Sequence, residues 1–284
     1  MSGGGPVVYK FGGTSLDGGA RLREVARLVE EGPRPLVVVV SALAGVTDLL
    51  QRLARPGLPA PGAIEEVLEK LRSRHAQALA DIFRDTSDPL PLDSATQRVE
   101  ARLERLRRIN AAPAGLSGPM RTDQTLSVGE DLCQILVLAA LEAQGIRADA
   151  VDARDVLVTD ARFGSAVPDR DATRAACAER MAPALDTGGI VVLQGFVGAT
   201  REGHTTTLGR GGSDFSAAVL GGAVNAKMVH IWTDVDGILS GDPGQVDAPV
   251  LLPEVGFEEL VELAWAGARV LHPVAAKWAV AEGV

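Results

Sequence analysis

Two short apolar runs near the N-terminus constrain the fold most strongly. The first covers residues 7–10, and the second reads "PLVVVVS" and ends at Ser41. The second run is apolar and mostly β-branched, a composition typical of strands buried on both faces of a parallel sheet. Between them, "ARLREVARLVEEG" places its apolar residues on one helical face and ends at Gly32. Strand, helix and strand in this order predict a βαβ unit.

The same alternation continues along the chain. A charged, helical stretch covers roughly 61–110 and is interpreted as a helical insertion. A long helix follows in "TLSVGEDLCQILVLAALEAQG". Further strands are predicted in "ADAVDA", "VLVTDA", "GGIVVLQGFVG" and "KMVHIWTDVDGI", and "ATREGHTTTLGRGGSD" is predicted to be a polar loop. The pattern therefore predicts an α/β fold: a three-layer αβα sandwich around a mainly parallel open sheet.

Composition excludes several classes of function. The formal net charge is −9, and no basic run offsets it, which argues against general nucleic-acid binding. No apolar run approaches the roughly 18 residues of a membrane span. The start "MSGGGP" does not resemble a signal peptide. Cys133 and Cys177 are far apart, so neither a disulfide framework nor a zinc site is indicated. We therefore expect a cytoplasmic protein.

The loop "KFGGTS" suggests phosphate binding. Ligands of α/β sheets bind at the carboxyl ends of strands, and this loop follows the first predicted strand. Gly12 and Gly13 allow backbone N–H groups to approach phosphate oxygens, and Lys10 adds a charge at the strand end. A P-loop would place the lysine after the glycines. A tight turn with a solvated lysine is the alternative.

Three more strand-end loops carry polar side chains. Ser41 and Thr47 in "SALAGVTD" are either site residues or helix N-caps. In "TTTLGRGGSD", Arg210 can clamp a carboxylate with two parallel hydrogen bonds. Asp214 in the same loop could orient Lys10 or a metal–phosphate unit, or could cap a helix. In "TDVDGI", the polar residues suggest nucleotide contacts, with a simple Asx turn as the alternative.

Taken together, the motifs resemble those of one enzyme family. "KFGGTS", "VVVSALAGVTDLL", "SVGE", "TTTLGRGGSD", "WTDVDGI" and "GARVLHP" occur in the order found in aspartate kinases, within the amino-acid kinase superfamily. The resemblance covers essentially the whole chain. It implies ATP-dependent phosphorylation of the side-chain carboxylate of L-aspartate to 4-phospho-L-aspartate, the first step toward lysine, threonine and methionine. It also implies Mg²⁺ carried by the nucleotide phosphates, and a homodimer.

The resemblance assigns roles to individual residues. Lys10 and Asp214 would be the catalytic pair. Arg210 would bind the α-carboxylate of aspartate and Glu130 its ammonium. The residues implied to bind the amino acid are Ser41, Thr47, Glu130, Arg210 and Ser213. Those implied to bind the nucleotide are Lys10, Gly12, Gly13, Ser15, Thr233, Asp234, Asp236 and Arg269.

Three positions depart from the family pattern, all on the nucleotide side. Leu239 stands where an aromatic residue is common, Gly244 where arginine is common, and Arg269 where lysine is common. ATP contacts are therefore expected to be weaker than usual. Two alternative functions stay open: a sister kinase acting on another small acid or on carbamate, and a catalytically weakened binding or regulatory subunit.

The expected organisation is a single kinase domain with two lobes. Residues 1–200 would form the amino-acid-binding lobe and residues 201–284 the nucleotide-binding lobe. The chain ends about where the kinase domain of the family ends, so no regulatory ACT domain is expected. Inhibition by lysine or threonine is accordingly not expected.

Overall fold

The strands form two sheets. The structure is a computed structural model that describes residues 5–55, 59–60, 62–86, 88–111, 118–242, 244, 246–266 and 271–284. The strands of these residues are β1 (Val7–Phe11), β2 (Leu36–Val40), β3 (Asp149–Ala150), β4 (Val158–Thr159), β5 (Ile190–Gln194), β6 (Val197–Thr200), β7 (Thr205–Thr207) and β8 (Met228–Trp232).

Helices connect and cover the strands. A short 3₁₀ turn, Thr14–Leu16, follows β1. The helices are α1 (Gly19–Glu31), α2 (Val46–Ala54), α3 (Ala63–Phe83), α4 (Leu90–Ala111), α5 (Gly118–Leu126), α6 (Val128–Ala143), α7 (Ala153–Val156), α8 (Arg170–Arg180), α9 (Ala182–Leu185), α10 (Gly212–Ala223), α11 (Phe257–Trp265) and α12 (Pro273–Glu282). No helix of the described ranges is long and apolar enough to cross a membrane.

The larger sheet has the strand order β3–β5–β2–β1–β8, and its neighbouring strands run parallel. Phe11 at the end of β1 pairs with Val40 at the end of β2 and with Trp232 at the end of β8. The three strands therefore end level with one another. As a result, the loops that follow them leave the sheet side by side at one edge.

Alternate residues of the strands point into two separate cores, as expected for strands covered on both faces. Val38 and Val40 of β2 lie in a core formed with α1, α2, α3, α4 and α6. Val37 and Val39 lie in a second core formed with α7, α8, α9 and α10. This arrangement confirms the three-layer αβα sandwich with a mainly parallel sheet. The helical insertion is also confirmed, as α3 and α4.

Three sequence predictions were wrong in detail. The run "GGIVVLQGFVG" forms two strands in different sheets, β5 and β6, because the chain turns at Phe196 with φ 65°. The predicted polar loop contains β7, which pairs antiparallel with β6 in the smaller sheet. The predicted long helix starts later than expected: it forms as α6 from Val128, and the two residues before Ser127, Thr125 and Leu126, belong to the separate helix α5.

Candidate active site

A cavity of about 750 Å³ opens at the carboxyl ends of β1 and β2. Polar groups from both the stretch 1–200 and the stretch 201–284 line it. Among the predicted site residues, those that line it are Lys10, Gly13, Ser41, Thr47, Glu130, Arg210, Ser213 and Asp214. The catalytic and amino-acid residues implied by the resemblance therefore share one cavity.

Lys10 and Asp214 form an ion pair at the centre of this cavity. Lys10 lies near the end of β1, and Asp214 lies in the first turn of α10. The Nζ of Lys10 is 2.7 Å from Oδ1 of Asp214, and the two side chains are only 11% and 20% exposed. Asp214 does not cap α10, whose N-cap is Gly211 without a side-chain hydrogen bond. The carboxylate instead holds the ammonium of Lys10 toward the cavity.

Backbone N–H groups from two elements also face the cavity. The N–H of Gly13 has no acceptor in the described part of the chain. A Cβ at Gly13 would lie 2.6 Å from the carbonyl oxygen of Ala42, so this close approach of two loops requires glycine. The start of the 12-residue helix α10 is the second element: Gly212 donates its N–H to the carbonyl of Gly209, while the N–H of Ser213, which also lines the cavity, has no acceptor among the described residues. Helix N-termini attract anions through free N–H groups and the helix dipole.

Glu130 brings an unsatisfied carboxyl group into the cavity. It lies in the first turn of α6, and its Oε1 accepts a 3.2 Å hydrogen bond from the N–H of Ala42. Its Oε2 is buried and has no partner in the structure as described. Burial raises the pKa of Glu130 to about 8, an effect that the Ala42 N–H and the Arg154 charge only partly offset. A cationic ligand could satisfy this oxygen and favour its ionised form.

Arg210 also lines the cavity, between Gly209 and Gly211, which both adopt left-handed backbone conformations. Its side chain is exposed, and no ion pair or hydrogen bond holds its guanidinium within the described ranges. Because Asp214 is paired with Lys10, and because the raised pKa of Glu130 keeps that group largely protonated near neutral pH, the cavity is net positive. This local charge exists despite the chain's formal charge of −9.

Ser41 and Thr47 belong to the cavity and do not cap a helix. Ser41 follows β2 directly, and its N–H donates to the carbonyl of Phe11. Thr47 lies in the first turn of α2, whose N-cap is Gly45. The helix-cap alternative for these two residues is therefore wrong, and neither hydroxyl has a hydrogen-bond partner among the described residues, so both can serve a ligand.

The predicted nucleotide residues are placed differently. Gly12 donates its N–H to the carbonyl of Trp232 at 3.3 Å, and Ser15 lies in the 3₁₀ turn behind the cavity lining. Neither of them lines the cavity. Polar residues that follow β8 are exposed and outside that lining as well: Thr233, Asp234 and Asp236. Arg269 lies outside the described residues.

The segment that follows β8 contains several of the residues predicted to bind the nucleotide. The hydroxyl of Thr233 donates to Asp234 Oδ1 at 3.1 Å. Leu239 forms an isolated antiparallel bridge with Leu251, so the segment after β8 folds back on itself. The hydrogen bond from Gly12 to Trp232 joins β1 to β8 at the point where this segment begins. The sequence-based nucleotide assignment stays a prediction.

Several cavity residues were missed by sequence reasoning. They are Thr14, Gln51, Thr122, Leu126, Gly164, Phe196 and Thr207. Thr207 carried a signal, since it belongs to the run of three threonines before Arg210. Gln51 and Thr122 lie in helices, where a single polar residue is indistinguishable from a solvated one.

The fold and the cavity together define an α/β protein that presents a lysine–aspartate pair, a helix N-terminus and an arginine to an anionic ligand at the carboxyl ends of parallel strands. Comparison with known proteins agrees with this class. The chain belongs to the amino acid kinase family, whose model matches residues 5–284.

Individual relatives support the resemblance to aspartate kinases. The chain is 38% identical over 267 residues to the lysine-sensitive aspartokinase 3 of Escherichia coli K12, covering 94% of this chain and 57% of that protein. It is 37% identical over 269 residues to the aspartokinase of Chlamydia trachomatis, with the same coverage. The chain thus spans somewhat more than half the length of these curated relatives.

Solved structures agree. The crystal structure of E. coli aspartokinase III in complex with aspartate and ADP matches with a TM-score of 0.87 at 37% identity, covering 97% of this chain and 60% of that one. The aspartate kinase of Clostridium acetobutylicum matches with a TM-score of 0.74 at 26% identity, covering 95% of this chain and 57% of that one. The resemblance drawn from the sequence motifs is therefore confirmed.

Proposed function

We propose that this chain transfers the γ-phosphoryl group of ATP to the side-chain carboxylate of L-aspartate. The observation that carries the proposal is the shared cavity of Lys10, Asp214, Glu130 and Arg210. Aspartate has an ammonium and two carboxylates, and the cavity offers a carboxyl group for the first and cations for the others. The similarity to an aspartokinase whose crystal structure contains aspartate and ADP supports the same substrates.

The proposed chemistry needs charge neutralisation more than covalent work. A carboxylate oxygen of aspartate attacks the γ-phosphorus, a new O–P bond forms, and the bond to the β-phosphate oxygen breaks to release ADP. The attacking carboxylate is already ionised, so no general base is required. Lys10, held by Asp214, and the N–H of Gly13 would stabilise the phosphoryl oxygens in transit. The N-terminus of α10 would add further N–H donors.

Arg210 and Glu130 would hold the amino-acid end of the substrate. The guanidinium of Arg210 would bind the α-carboxylate, and the free Oε2 of Glu130 would accept a hydrogen bond from the ammonium. Ser41, Thr47 and Ser213 would complete this half of the site. Residues 1–200 would supply most of the amino-acid lobe, and residues 201–284 the nucleotide lobe, although Arg210 and Ser213 come from the second stretch.

Mg²⁺ would accompany the nucleotide. Among the described residues, no group of three or more His, Cys, Asp or Glu side chains is placed to hold a metal ion. We assign the ion to the phosphates of ATP, an arrangement common in kinases because Mg²⁺ keeps much of its coordination for phosphate and water. The expected homodimer and cytoplasmic location stay predictions.

Aspartate-dependent ADP release would test the proposed function directly. We expect release that requires ATP, Mg²⁺ and L-aspartate together, and trapping of the acyl phosphate as a hydroxamate. L-Glutamate and carbamate serve as alternative acceptors in the same assay. A clear preference for either of them would instead support a sister kinase of the same family.

A catalytically weakened binding subunit is the second candidate. The departures at Leu239 and Gly244, together with the exposure of the segment that follows β8, favour it. In that case calorimetry would detect aspartate binding, while ADP release by the chain would equal that of a Lys10→Ala variant. Release well above that variant would reject this candidate.

Arg210→Lys is expected to raise KM for aspartate by roughly 10–30-fold with kcat changed little, since an ammonium cannot reproduce two parallel hydrogen bonds to a carboxylate. Steady-state kinetics with saturating ATP would measure this. Arg201→Lys is the matched control, because Arg201 is exposed in the turn of the β6–β7 hairpin, which precedes Arg210, and pairs with Asp169. Equal KM values for Arg210→Lys and wild type would contradict the assigned role of Arg210.

A further inference from the structure

Asp123 is a buried carboxylate just behind the cavity wall. It lies on α5 and is 0% exposed, although its neighbours Thr122 and Leu126 line the cavity. Its Oδ2 accepts hydrogen bonds from the N–H of Gly164 at 2.9 Å and the N–H of Thr207 at 2.8 Å. Its Oδ1 accepts a third bond, 2.9 Å, from the hydroxyl of Thr207. One side chain thus joins α5, the loop after β4 and the end of β7.

The segments held by Asp123 lead directly to Arg210. The carbonyl of Thr207 accepts a 2.9 Å hydrogen bond from the N–H of Ala166, which adds a second connection between the two segments. Gly209 then adopts φ 78°, and a Cβ there would lie 3.0 Å from the carbonyl oxygen of Gly164. The backbone between Thr207 and Arg210 is therefore packed on a loop that Asp123 itself anchors.

This support is important because the side chain of Arg210 has no anchor of its own within the described residues. Its location depends on the backbone on either side. Gly164 and Thr207, the two residues that Asp123 holds, also line the cavity. A shift of this wall would move the guanidinium relative to Glu130 on α6, which belongs to a different wall. The same shift would not move Lys10, which is held in β1.

We propose that Asp123 is a positioning residue for the amino-acid half of the site: it sets where Arg210 meets the α-carboxylate of the substrate without touching the substrate itself. This inference rests on the proposed function. The role requires hydrogen-bond acceptors, not a negative charge. Two N–H donors converge on Oδ2, and a hydroxyl, which both donates and accepts, faces Oδ1. Asparagine can meet the same three groups. Its carbonyl oxygen, in the place of Oδ2, would accept from the two N–H groups, and its NH₂, in the place of Oδ1, would donate to the hydroxyl of Thr207.

Asp123→Ala and Asp123→Asn form the test, measured by steady-state kinetics. We expect Asp123→Ala to raise KM for aspartate about tenfold or more, with KM for ATP within about twofold of wild type and kcat little changed. Asp123→Asn should stay close to wild type in all three constants. A merely structural role would lower the fraction of active enzyme, and therefore kcat, while leaving both KM values unchanged.

Thr206→Val is the matched control. Thr206 lies in the same strand, is fully buried, and shares a 2.7 Å hydrogen bond with Thr159, yet it does not line the cavity. It should lower the melting temperature without changing KM for aspartate. Thr207→Val removes one of the three bonds to Asp123, so we expect it to raise KM for aspartate by roughly threefold. This variant keeps the test usable if Asp123→Ala does not fold.

The outcomes separate the inference from the proposed function. If the wild type is active and Asp123→Ala has the same KM for aspartate, the inference alone is overturned. If Asp123→Ala does not fold, an unchanged KM in Thr207→Val has the same consequence. Equal KM increases in Asp123→Asn and Asp123→Ala would also overturn it. A wild-type chain that shows neither aspartate-dependent ADP release nor aspartate binding by calorimetry would overturn both the inference and the proposed function.

Discussion

Lys10→Met is expected to reduce kcat about 10²–10³-fold, the usual effect of removing one preorganised group that stabilises transition-state charge. The side chain of Lys10 is 11% exposed and its ammonium is held 2.7 Å from Asp214, so it requires little reorganisation to meet the transferred phosphoryl group. Methionine keeps the length and apolar character of the stem but removes the charge. KM for aspartate should change much less, because the amino-acid end of the substrate is held elsewhere in the cavity.

Lys10→Met also leaves Asp214 without its ion-pair partner, so the folding of the variant has to be checked separately. Thermal unfolding of Lys10→Met should show a folded protein, since Asp214 retains some contact with solvent. Lys70→Met is the matched lysine replacement: Lys70 lies on α3, is about half exposed and pairs with Glu66. It should be indistinguishable from wild type in kcat. A kcat for Lys10→Met within threefold of that of Lys70→Met would contradict the catalytic role of Lys10.

The fold was largely predictable because its central strands are buried on both faces. Such strands appear as continuous apolar runs, and the run that became β2 was recognisable for that reason. The family resemblance implied that Lys10 and Asp214 would meet, although about 200 residues separate them in the chain. Parallel strands bring their carboxyl ends to one edge, so loops distant in sequence converge there.

The polar run before Arg210 was misinterpreted for a physical reason. Threonine is polar in composition but has high strand propensity when its hydroxyl finds a partner. Here each hydroxyl of β7 has one from a distant segment: Arg154 for Thr205, Thr159 for Thr206 and Asp123 for Thr207. None of these partners is apparent from local sequence. A local pattern therefore suggested a loop where long-range hydrogen bonds stabilise a buried strand.

The turn at Phe196 was unpredictable in a similar way. Its φ of 65° is uncommon for a residue with a Cβ and arises from tertiary contacts. The N–H of Phe196 donates to the hydroxyl of Ser216 on α10 at 2.8 Å. Because this bend separates β5 from β6, it brings the β6–β7 hairpin, and with it Arg210, to the cavity. The site's geometry thus depends on a contact that no motif records.

Glu130→Gln is expected to raise KM for aspartate by roughly 10–100-fold, because a neutral amide replaces a charge-assisted hydrogen bond to the substrate ammonium. The same substitution should stabilise the folded chain at neutral and higher pH. Burial raises the pKa of Glu130 from 4.5 to about 8, so the folded state holds a proton that the unfolded state has lost between those values. Wild-type stability therefore falls as pH rises through this window.

Thermal unfolding at pH 5 and pH 8.5 would measure that difference. The stability gained by Glu130→Gln over wild type should grow across this range by several kcal/mol, on the order of 3–4 for a pKa shift of this size. Glu142→Gln is the matched control, because Glu142 is exposed in the last turn of α6. Tyr9→Phe would be unsuitable, since that ring lies in the core. A difference that stays constant with pH would contradict the raised pKa of Glu130.

The kinetics should depend on pH through the same group. Aspartate binding requires the ionised form of Glu130, so wild-type KM for aspartate should fall nearly tenfold per pH unit between pH 6 and pH 7 and level off above about pH 8. In Glu130→Gln, KM should be high and independent of pH over this range, because no proton has to leave. A wild-type KM that does not change between pH 6 and pH 8 would mean that Glu130 is already ionised before substrate binds, or does not contact the ammonium. The first result would contradict the raised pKa of Glu130. The second would remove Glu130 from the role proposed for it, and an unchanged KM for aspartate in Glu130→Gln would identify it.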